Sequence, residues 1–367
     1  MTRFVLIFSF LGFAGCLLGC GQELPKGYAP PKKPVAQTET PVKTGSEKAA
    51  VPAVAETPTD PPAVDDKTGL PHYKKSTDAV AGTIKSKGSD TMATLMTYWV
   101  EGFKSFYPGI TAEIAHNGSG DAPKALIDDL ATFGAMSRDW EPGEVDKFEA
   151  AHKFKPTVVP TCIDMLAVYV HKDNPISGLT LQQVDAIFSK ERKGGFPKDI
   201  KTWGDLGLTG DWADKPIELY GRNSTSGTYK YFKDHAMFKG SYKETYKEQA
   251  GSSAVIGTIA SNKYAIGYSG IGYASAGVKI VPLAVKDGMP FVAAEPKNAY
   301  SEEYPLARYL FVSFKHQPGT PLDPLRREFL RYVLSSEGQA MVKKDQYVPL
   351  APEMVRDTLK EFGLSPK

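Results

Sequence analysis

Short apolar runs alternate with segments of helical periodicity from about residue 82 onward, and this alternation constrains the fold more than any other feature of the chain. One apolar helix face is formed by Met92, Leu95, Trp99, Phe103 and Phe106. Strands are predicted at 83–85, 111–116, 133–136, 158–159, 164–170, 216–220, 265–268, 278–283 and 308–314. Helices are predicted from residue 121 and at 181–188, 228–236, 253–261, 323–334 and 337–344. Strands that alternate with helices predict an α/β fold with mainly parallel sheets.

The first 20 residues have the pattern of an export signal. Arg3 is followed by an apolar run from Phe4 to Leu18, and a run of about 15 residues is too short to span the hydrocarbon core comfortably. Gly19 and Cys20 follow, and small residues before a Cys resemble a bacterial lipoprotein signal. The resemblance implies a signal peptide at 1–19 that is cleaved before Cys20, which is then acylated. The alternative is an uncleaved anchor with an incidental Cys.

Residues 20–80 differ in composition from the rest of the chain. Ten of the residues from 21 to 80 are Pro, and Tyr28 and Tyr73 are the aromatic residues of this segment. Such a segment buries too little apolar surface to offset its conformational entropy. We expect a disordered, Pro-rich tether that carries the folded part away from the lipid. A small folded domain is the alternative.

Composition bounds both the class of protein and its partners. Lys plus Arg number 44 and Asp plus Glu number 42, which gives a net charge of +2 and no support for a nucleic-acid partner. The 41% hydrophobic and 23% charged fractions are typical of a globular chain, and 367 residues suggest two domains. Three cysteines over this length exclude a disulfide scaffold. The lipoprotein resemblance implies that Cys16 leaves with the signal and that Cys20 carries lipid. The remaining Cys162 lies in an apolar stretch and is expected to be buried.

Four loops combine Ser, Thr and Gly between a predicted strand and a predicted helix: 88–91, 117–120, 136–139 and 222–228. In open α/β sheets, ligands bind beyond the carboxyl ends of strands, where helix N-termini present unpaired N–H groups and a partial positive charge. These loops predict an anion site, because their hydroxyls are hydrogen-bond donors and their glycines allow the backbone to approach a ligand closely. The loops also contain two arginines, Arg138 and Arg222, which together match a doubly charged anion. Each loop taken singly is better explained by helix capping and turn formation.

The same loops resemble those of the phosphate-binding proteins of bacterial ABC phosphate importers. The likeness is collinear from about residue 82 to residue 352. It is carried by residues 87–92, 117–120, 135–138, 164–170 with 174–175, 179–181 with 187–188, 222–229, 265–268, and 335–339 with 347–350. The resemblance implies a two-lobe periplasmic-binding-protein fold of type II, with a mixed, mainly parallel sheet in each lobe and two crossover segments. We expect lobe 1 to comprise 81–165 and 285–367, and lobe 2 to comprise 166–284.

The family resemblance also implies the ligand and its contacts. Inorganic phosphate is the expected ligand, with no cofactor, no metal and no catalytic residue. The first three loops are expected to contribute Ser89, Asp90, Thr91, Ser119, Ser137 and Arg138. The fourth is expected to contribute Arg222, Ser226, Gly227 and Thr228.

The sequence departs from the family at one position. Some members have an Asp in the third loop that accepts the proton of hydrogen phosphate and so excludes sulfate, but Arg138 stands there in this chain. Asp90 is the candidate replacement, with Asp139 and Asp121 as weaker candidates. A simple N-cap is the alternative role for Asp90.

The resemblance implies a lipid-anchored, extracytoplasmic and monomeric receptor that delivers phosphate to the membrane subunits of an ABC importer. It would lie in the periplasm or on the outer cell surface, depending on the envelope. A general oxyanion-binding protein, or a sensor or adhesin without transport, remains open. A secreted phosphatase is disfavoured, because the six His form no metal-ligand pattern and the sequence has no nucleophile elbow. The tyrosines Tyr229, Tyr231, Tyr242 and Tyr246 are interpreted as packing and amphipathic surface.

Overall fold

A computed structural model describes residues 64, 65 and 67–364 of the chain. The strands are β1 (Thr83–Gly88), β2 (Thr111–Ala115), β3 (Phe133–Met136), β4 (Thr157–His171), β5 (Leu179–Thr180), β6 (Glu218–Arg222), β7 (Lys247–Gln249), β8 (Ala265–Gly270), β9 (Val278–Val281), β10 (Leu283–Ala284) and β11 (Ala307–Phe314). The helices are α1 (Ala93–Phe106), α2 (Asp121–Ile127), α3 (Pro142–His152), α4 (Leu181–Phe188), α5 (Gly227–His235), α6 (Ser252–Ser261), α7 (Pro296–Tyr300), α8 (Pro324–Val333), α9 (Ser336–Lys344) and α10 (Pro352–Glu361). The predicted α/β class is confirmed.

Strand β4 is shared by the two halves of the molecule. The long sheet has the order β2-β1-β3-β11-β4-β8-β6-β7, and β9 also pairs with β4. The first part of β4 pairs with β11 as far as Met165, and from Leu166 onward it pairs with β8. We call the part built on β1, β2, β3 and β11 the first lobe, and the part built on β6, β7, β8 and β9 the second lobe. The pairs β1–β2, β1–β3, β6–β7 and β6–β8 are parallel, whereas the pairs that involve β4 or β11 are antiparallel.

The chain returns to the first lobe later than the predicted boundary at 285. Val292 pairs with Leu283 of the second lobe, and the backbone N–H of Asp287 donates to the Gln182 side chain at 3.3 Å. The strand that crosses back is β11, which begins at Ala307. The segment 285–292 therefore packs on the second lobe, and the predicted boundary is corrected accordingly.

The segment 67–80, predicted as the end of a disordered tether, packs on the first lobe. Leu70 and Tyr73 are buried, and the Tyr73 hydroxyl donates to the carboxylate of Glu328 at 3.0 Å. The imidazole of His72 lies 2.9 Å from the Glu337 carboxylate. The ring of Tyr73 packs against Phe106 of α1 and Tyr332 of α8, so the prediction of disorder is wrong for this segment. The predicted signal peptide, the lipidated Cys20 and most of the predicted tether lie outside the described residues.

Local sequence signals explain most of the helices. Thr180 caps α4 by accepting from the Gln183 N–H at 3.1 Å, and Gln183 reciprocates, as the capping box predicts. The apolar face predicted for α1 is buried at Leu95, Trp99 and Phe103, and Met92, which directly precedes the helix, is buried with it. Helix α3 was not predicted, because Phe148 is its one buried residue and its apolar periodicity is weak. Helix α10 was also not predicted.

The core continues from one lobe to the other through β4. Its residues Leu166, Val168 and Val170 are fully buried, and Cys162 is buried as predicted. Burial raises the pKa of the Cys162 thiol well above its usual value, so this thiol is an inert packing group. None of the helices in the described part of the chain has the length and apolar character needed to cross a membrane.

Asp345 is a half-buried carboxyl where the lobes meet beside α9. Its backbone oxygen lies close to Gly272 of the second lobe, so that a Cβ on that glycine would stand 2.7 Å away. Burial, with a smaller contribution from Asp164, raises the pKa of Asp345 to about 7 from an ordinary value of 3.8.

The raised pKa predicts a pH-dependent stability that Asp345→Asn abolishes. Between the two pKa values the folded chain binds a proton that the unfolded chain releases, so ionisation of Asp345 lowers stability as pH rises from about 4 to about 7. We expect the melting temperature of Asp345→Asn to match the wild type near pH 4 and to exceed it increasingly up to pH 7. Asp214→Asn, at an exposed site, is the control. A difference that does not vary with pH would contradict the prediction.

Candidate functional site

The four predicted loops follow the carboxyl ends of four strands, of which β2 ends at Ala115. Strand β1 ends at Gly88, β3 ends at Met136 and β6 ends at Arg222. Gly88 has a φ of +131°, and a Cβ on it would meet the Ala135 oxygen at 2.1 Å, so only glycine allows this turn. The position beyond the strand ends is where α/β sheets bind ligands.

Five hydroxyl side chains meet at this position and form what we call the hydroxyl cluster: Ser89, Thr91, Ser119, Ser137 and Thr228. All five residues are at most 1% exposed. Ser89 Oγ donates to Ser137 Oγ at 2.8 Å, and Ser119 Oγ lies 3.1 Å from Ser137 Oγ. Thr91 Oγ1 and Thr228 Oγ1 are 2.8 Å apart. Buried hydroxyls that bond chiefly to one another are well suited to turn their protons toward an oxyanion.

The hydroxyl cluster lies where the two lobes touch. Thr228 belongs to the second lobe, and the other four residues belong to the first. The Gly120 N–H of the first lobe donates to the Thr225 oxygen of the second at 3.1 Å. A Cβ on Gly227 would stand 2.3 Å from Ser119 Oγ and 2.6 Å from Ser137 Oγ. The structure is therefore a closed arrangement, and Gly227 permits it.

Helix α5 directs its N-terminus at the cluster. Ser226 caps the helix by accepting from the backbone N–H groups of Thr228 and Tyr229 at 3.2 and 3.4 Å. The first turn also includes Gly227, whose backbone lies against the serines of the first lobe. The aligned peptide dipoles give this end a partial positive charge, which favours an anion.

Arg222 supplies a buried positive charge. The residue is 0% exposed, and its Nη1 donates to Asp90 Oδ2 and to Ser252 Oγ, both at 2.8 Å. Within the described residues, its buried Nε has no hydrogen-bond partner. An unsatisfied buried donor on a charged group is costly, so Arg222 has a donor that an anion could satisfy.

The tyrosines predicted to pack support the strand that carries Arg222. Tyr246 donates from its hydroxyl to the Arg222 backbone oxygen at 2.6 Å and lies 2.7 Å from the Tyr268 hydroxyl. Tyr242 joins the same group through Tyr268 at 2.7 Å. Burial raises the pKa values of Tyr242 and Tyr246, so both stay protonated donors. These hydroxyls fix the backbone from which the Arg222 side chain extends.

Asp90 connects the first lobe to the second. Its Oδ2 accepts from Arg222 and from the Ser252 N–H at 2.9 Å, and its backbone oxygen accepts from the Tyr273 hydroxyl at 2.7 Å. Its Oδ1 lies 3.1 Å from the place of a Cβ on Gly251. Since Oδ2 accepts from both the Arg222 side chain and the Ser252 backbone, Oδ1 is the oxygen available to accept another proton.

Arg138, which the sequence predicts as a phosphate ligand, is bonded within the first lobe, and its Nη2 lies 4.0 Å from the place of a Cβ on Gly120 of the second loop. Its guanidinium donates two hydrogen bonds to Glu144, at 2.8 and 2.7 Å, and a third to the Asp139 oxygen. The pair holds the loop before α3 in place within the first lobe. A further buried arginine at the site is Arg308, and the contact of Arg138 with an anion stays a prediction.

Two charged residues at the site were not predicted, Asp164 and Arg308. Asp164 is 0% exposed and Arg308 is 3% exposed, and two of the arginine nitrogens donate to Asp164 Oδ2 at 3.0 and 2.7 Å. Each interrupts an otherwise apolar strand. A charged residue in a strand whose apolar sequence predicts burial requires a partner of opposite charge. This was the sequence signal that could have identified Asp164 and Arg308. Ser252, whose hydroxyl accepts from Arg222, was also not predicted as a site residue.

The site has the chemistry of anion binding. Among residues 64, 65 and 67–364, no group of three His, Cys, Asp or Glu side chains is arranged to hold a metal ion. The site combines five hydroxyls, a helix N-terminus and two buried guanidinium groups, each paired with one carboxylate. Such an arrangement binds an oxyanion through donors and leaves little net charge when the anion is absent.

The fold and a family model define the class of this protein. Residues 74–337 match the PBP superfamily domain. The protein from Clostridium perfringens whose crystal structure contains bound phosphate superposes with a TM-score of 0.63 at 26% identity, covering 73% of this chain and 100% of that one. A phosphate transport receptor from Vibrio cholerae, at 19% identity and a TM-score of 0.56, shares the fold and covers 73% of this chain and 100% of its own. This is a periplasmic binding protein of type II.

Relatives found by sequence define the family of this protein more narrowly. The phosphate-binding protein PstS of Pseudomonas aeruginosa is 50% identical over 295 residues, which are 80% of this chain and 91% of that protein. The PstS of Staphylococcus haemolyticus is 26% identical over 285 residues, covering 77% of this chain and 85% of its own. The chain belongs to the family of the phosphate-binding proteins of ABC phosphate importers.

The contact at Gly227 predicts that Gly227→Ala destabilises the closed arrangement. The added methyl would overlap Ser119 Oγ and Ser137 Oγ, and overpacking of this kind costs about 1–3 kcal/mol. We expect a lower midpoint of urea unfolding and a larger radius of gyration in solution scattering. Gly257→Ala is the matched control, because a Cβ there meets nothing within 4 Å and Gly257 lies inside α6. At that position the substitution should raise the free energy of unfolding by about 0.5–1 kcal/mol. Equal effects at the two positions would contradict the prediction.

Proposed function

We propose that this chain is an extracytoplasmic receptor that binds one inorganic phosphate between its lobes and delivers it to an ABC importer. The observation that carries the proposal is the junction of the hydroxyl cluster with the N-terminus of α5 and the buried Arg222, which has an unsatisfied N–H. The names of the PstS relatives and the phosphate bound in the Clostridium structure support the choice of anion. The receptor acts by binding, without covalent chemistry.

Phosphate would bind by replacing hydroxyl contacts. Ser89, Ser119 and Ser137 would turn their protons from one another to the phosphate oxygens, and Thr91 and Thr228 would do the same from opposite lobes. The backbone N–H of Gly227 would add a donor at a positive helix end. Because the donors come from both lobes, phosphate binds the closed state more tightly and shifts the lobe equilibrium toward it.

Asp90 would select phosphate over sulfate. Its Oδ2 is engaged by Arg222 and Ser252, which leaves Oδ1 to accept the proton of hydrogen phosphate. Sulfate has no proton to donate at neutral pH, so its oxygen would face the carboxylate in an unpaired, repulsive contact. Asp139 is exposed beside the Arg138–Glu144 pair, and Asp121 begins α2. Neither Asp139 nor Asp121 forms an ion pair with Arg222, as Asp90 does.

Calorimetric titration of the full-length chain in detergent tests this function. Phosphate should bind one to one, and sulfate should bind much more weakly. Asp90→Asn should weaken phosphate binding at least about tenfold, since a charged acceptor is lost, and should strengthen sulfate binding because the repulsion is removed. Asp139→Asn is the matched control and should change neither affinity. Equal binding of both anions by the wild type would indicate a general oxyanion binder, and binding of neither would exclude the proposed function.

The N-terminal sequence supports an anchored location. We propose cleavage before Cys20, acylation of that residue and attachment to the outer side of a membrane through the lipid alone. The Pro-rich segment would then connect the lipid to residue 67, from which the chain packs on the first lobe. A tether of this composition gives the receptor reach toward the membrane subunits of the importer.

Cell fractionation with mass spectrometry tests the anchor. The wild type should sediment with membranes, and its N-terminal peptide should begin at Cys20 with the added mass of acyl groups. Cys20→Ala should lose both properties, while Cys16→Ala, within the signal, should retain them. A wild-type chain that begins at Met1 would overturn the proposed cleavage and anchor.

A further inference from the structure

The Asp164–Arg308 pair joins the strands that cross between the lobes. The two residues face each other in the register of β4 and β11. Arg308 donates from Nε and Nη2 to Asp164 Oδ2 at 3.0 and 2.7 Å, and both side chains are at most 2% exposed. Asp164 Oδ1 also accepts from the backbone N–H of Ile271 in the second lobe at 3.0 Å. The pair is thus fully desolvated and fixed in orientation, which a guanidinium achieves and an ammonium does not.

The same guanidinium touches both sides of the proposed phosphate site. Arg308 Nη1 donates to the Ser137 backbone oxygen of the first lobe at 2.9 Å. Arg308 Nη2 donates to Thr228 Oγ1 of the second lobe at 2.8 Å. The face of the guanidinium lies 5.2 Å from the ring centre of Tyr231, one turn further along α5. Arg308 therefore docks the N-terminal turn of α5 on the first lobe.

The contact with Thr228 determines what that hydroxyl can do. A hydroxyl has one proton and two acceptor lone pairs. Because Arg308 is always a donor, it occupies a lone pair of Thr228 Oγ1 and cannot take its proton. The proton of Thr228 is therefore available to another acceptor, and Thr91 Oγ1 lies 2.8 Å away, in a pair in which either oxygen can be the donor. In the phosphate complex, an oxygen of the anion would take that place.

We propose that Arg308, oriented by Asp164, is a positioning residue that makes Thr228 a fixed donor to phosphate and holds α5 against the first lobe. This role rests on the proposed phosphate binding and adds Arg308 to the residues on which the phosphate affinity depends. Arg308 acts through Thr228 and Ser137 rather than by contact with the anion. Its effect on affinity should therefore depend on the Thr228 hydroxyl.

A double-mutant cycle on the full-length chain tests the role, with inorganic phosphate as the titrant. Arg308→Lys keeps the charge but cannot hold Asp164, Ser137 and Thr228 at once. We expect it to weaken phosphate binding about tenfold in the wild-type background and less than about twofold in the Thr228→Val background. Arg331→Lys, which alters an arginine bonded to the buried Glu328 in α8, is the matched control and should leave phosphate affinity unchanged.

The outcomes separate this role from the proposed function. If the wild type binds phosphate and Arg308→Lys binds it equally well, the positioning role is wrong while phosphate binding stands. Equal losses in the two Thr228 backgrounds would also overturn it, because a purely structural contribution is additive. If the wild type binds no phosphate, both proposals fail.

A second variant covers the case in which Arg308→Lys does not fold. Asp164→Asn combined with Arg308→Gln removes both charges and leaves neither uncompensated in the interior. The double variant should show cooperative thermal unfolding and weaker phosphate binding than the wild type. Cooperative unfolding with wild-type phosphate affinity would overturn the role of Arg308.

Discussion

Removing arginine charges from water is the constraint around which the region between the lobes is organised. Arg222 and Arg308 are both buried, and an uncompensated buried ion costs several kcal/mol. Each is therefore paired with a carboxylate, Asp90 for Arg222 and Asp164 for Arg308. The Asp90–Arg222 pair spans the two lobes directly, whereas the Asp164–Arg308 pair lies on the crossing strands. Closing the lobes and pairing the charge of Arg222 are consequently one event.

The strands that cross between the lobes explain how binding in the cleft could move the whole molecule. Strand β4 changes its partner from β11 to β8 along its length, so the two lobes share one rigid element. Asp164 lies at this change of partner, directly beside the strand ends that carry the hydroxyl cluster. A small rotation about β4 and β11 would separate Thr91 from Thr228 and Asp90 from Arg222. Bound phosphate opposes this rotation because its donors come from both sides.

The sequence predicted those features that depend on local chemistry and missed those that depend on distant partners. The Ser, Thr and Gly loops were found because capping and turn formation act within a few residues. The pairing of Arg308 with Asp164 joins residues that are 144 positions apart in the chain, which no local pattern reveals. The docking of Tyr73 was missed because a lone aromatic residue in a Pro-rich segment has no periodicity. Helix α3 was missed because Phe148 is its one buried side chain, which leaves only a weak apolar periodicity in the sequence.

A crystal structure grown in saturating phosphate tests the central claim most directly. The expected result is one tetrahedral anion enclosed by Ser119, Ser137, Gly227 and Thr228, with Asp90 Oδ1 within hydrogen-bonding distance of one of its oxygens. The hydroxyl contacts between Ser89 and Ser137 and between Thr91 and Thr228 should be replaced by contacts to the anion. An anion bound elsewhere, with these hydroxyls still bonded to one another, would contradict the proposed site.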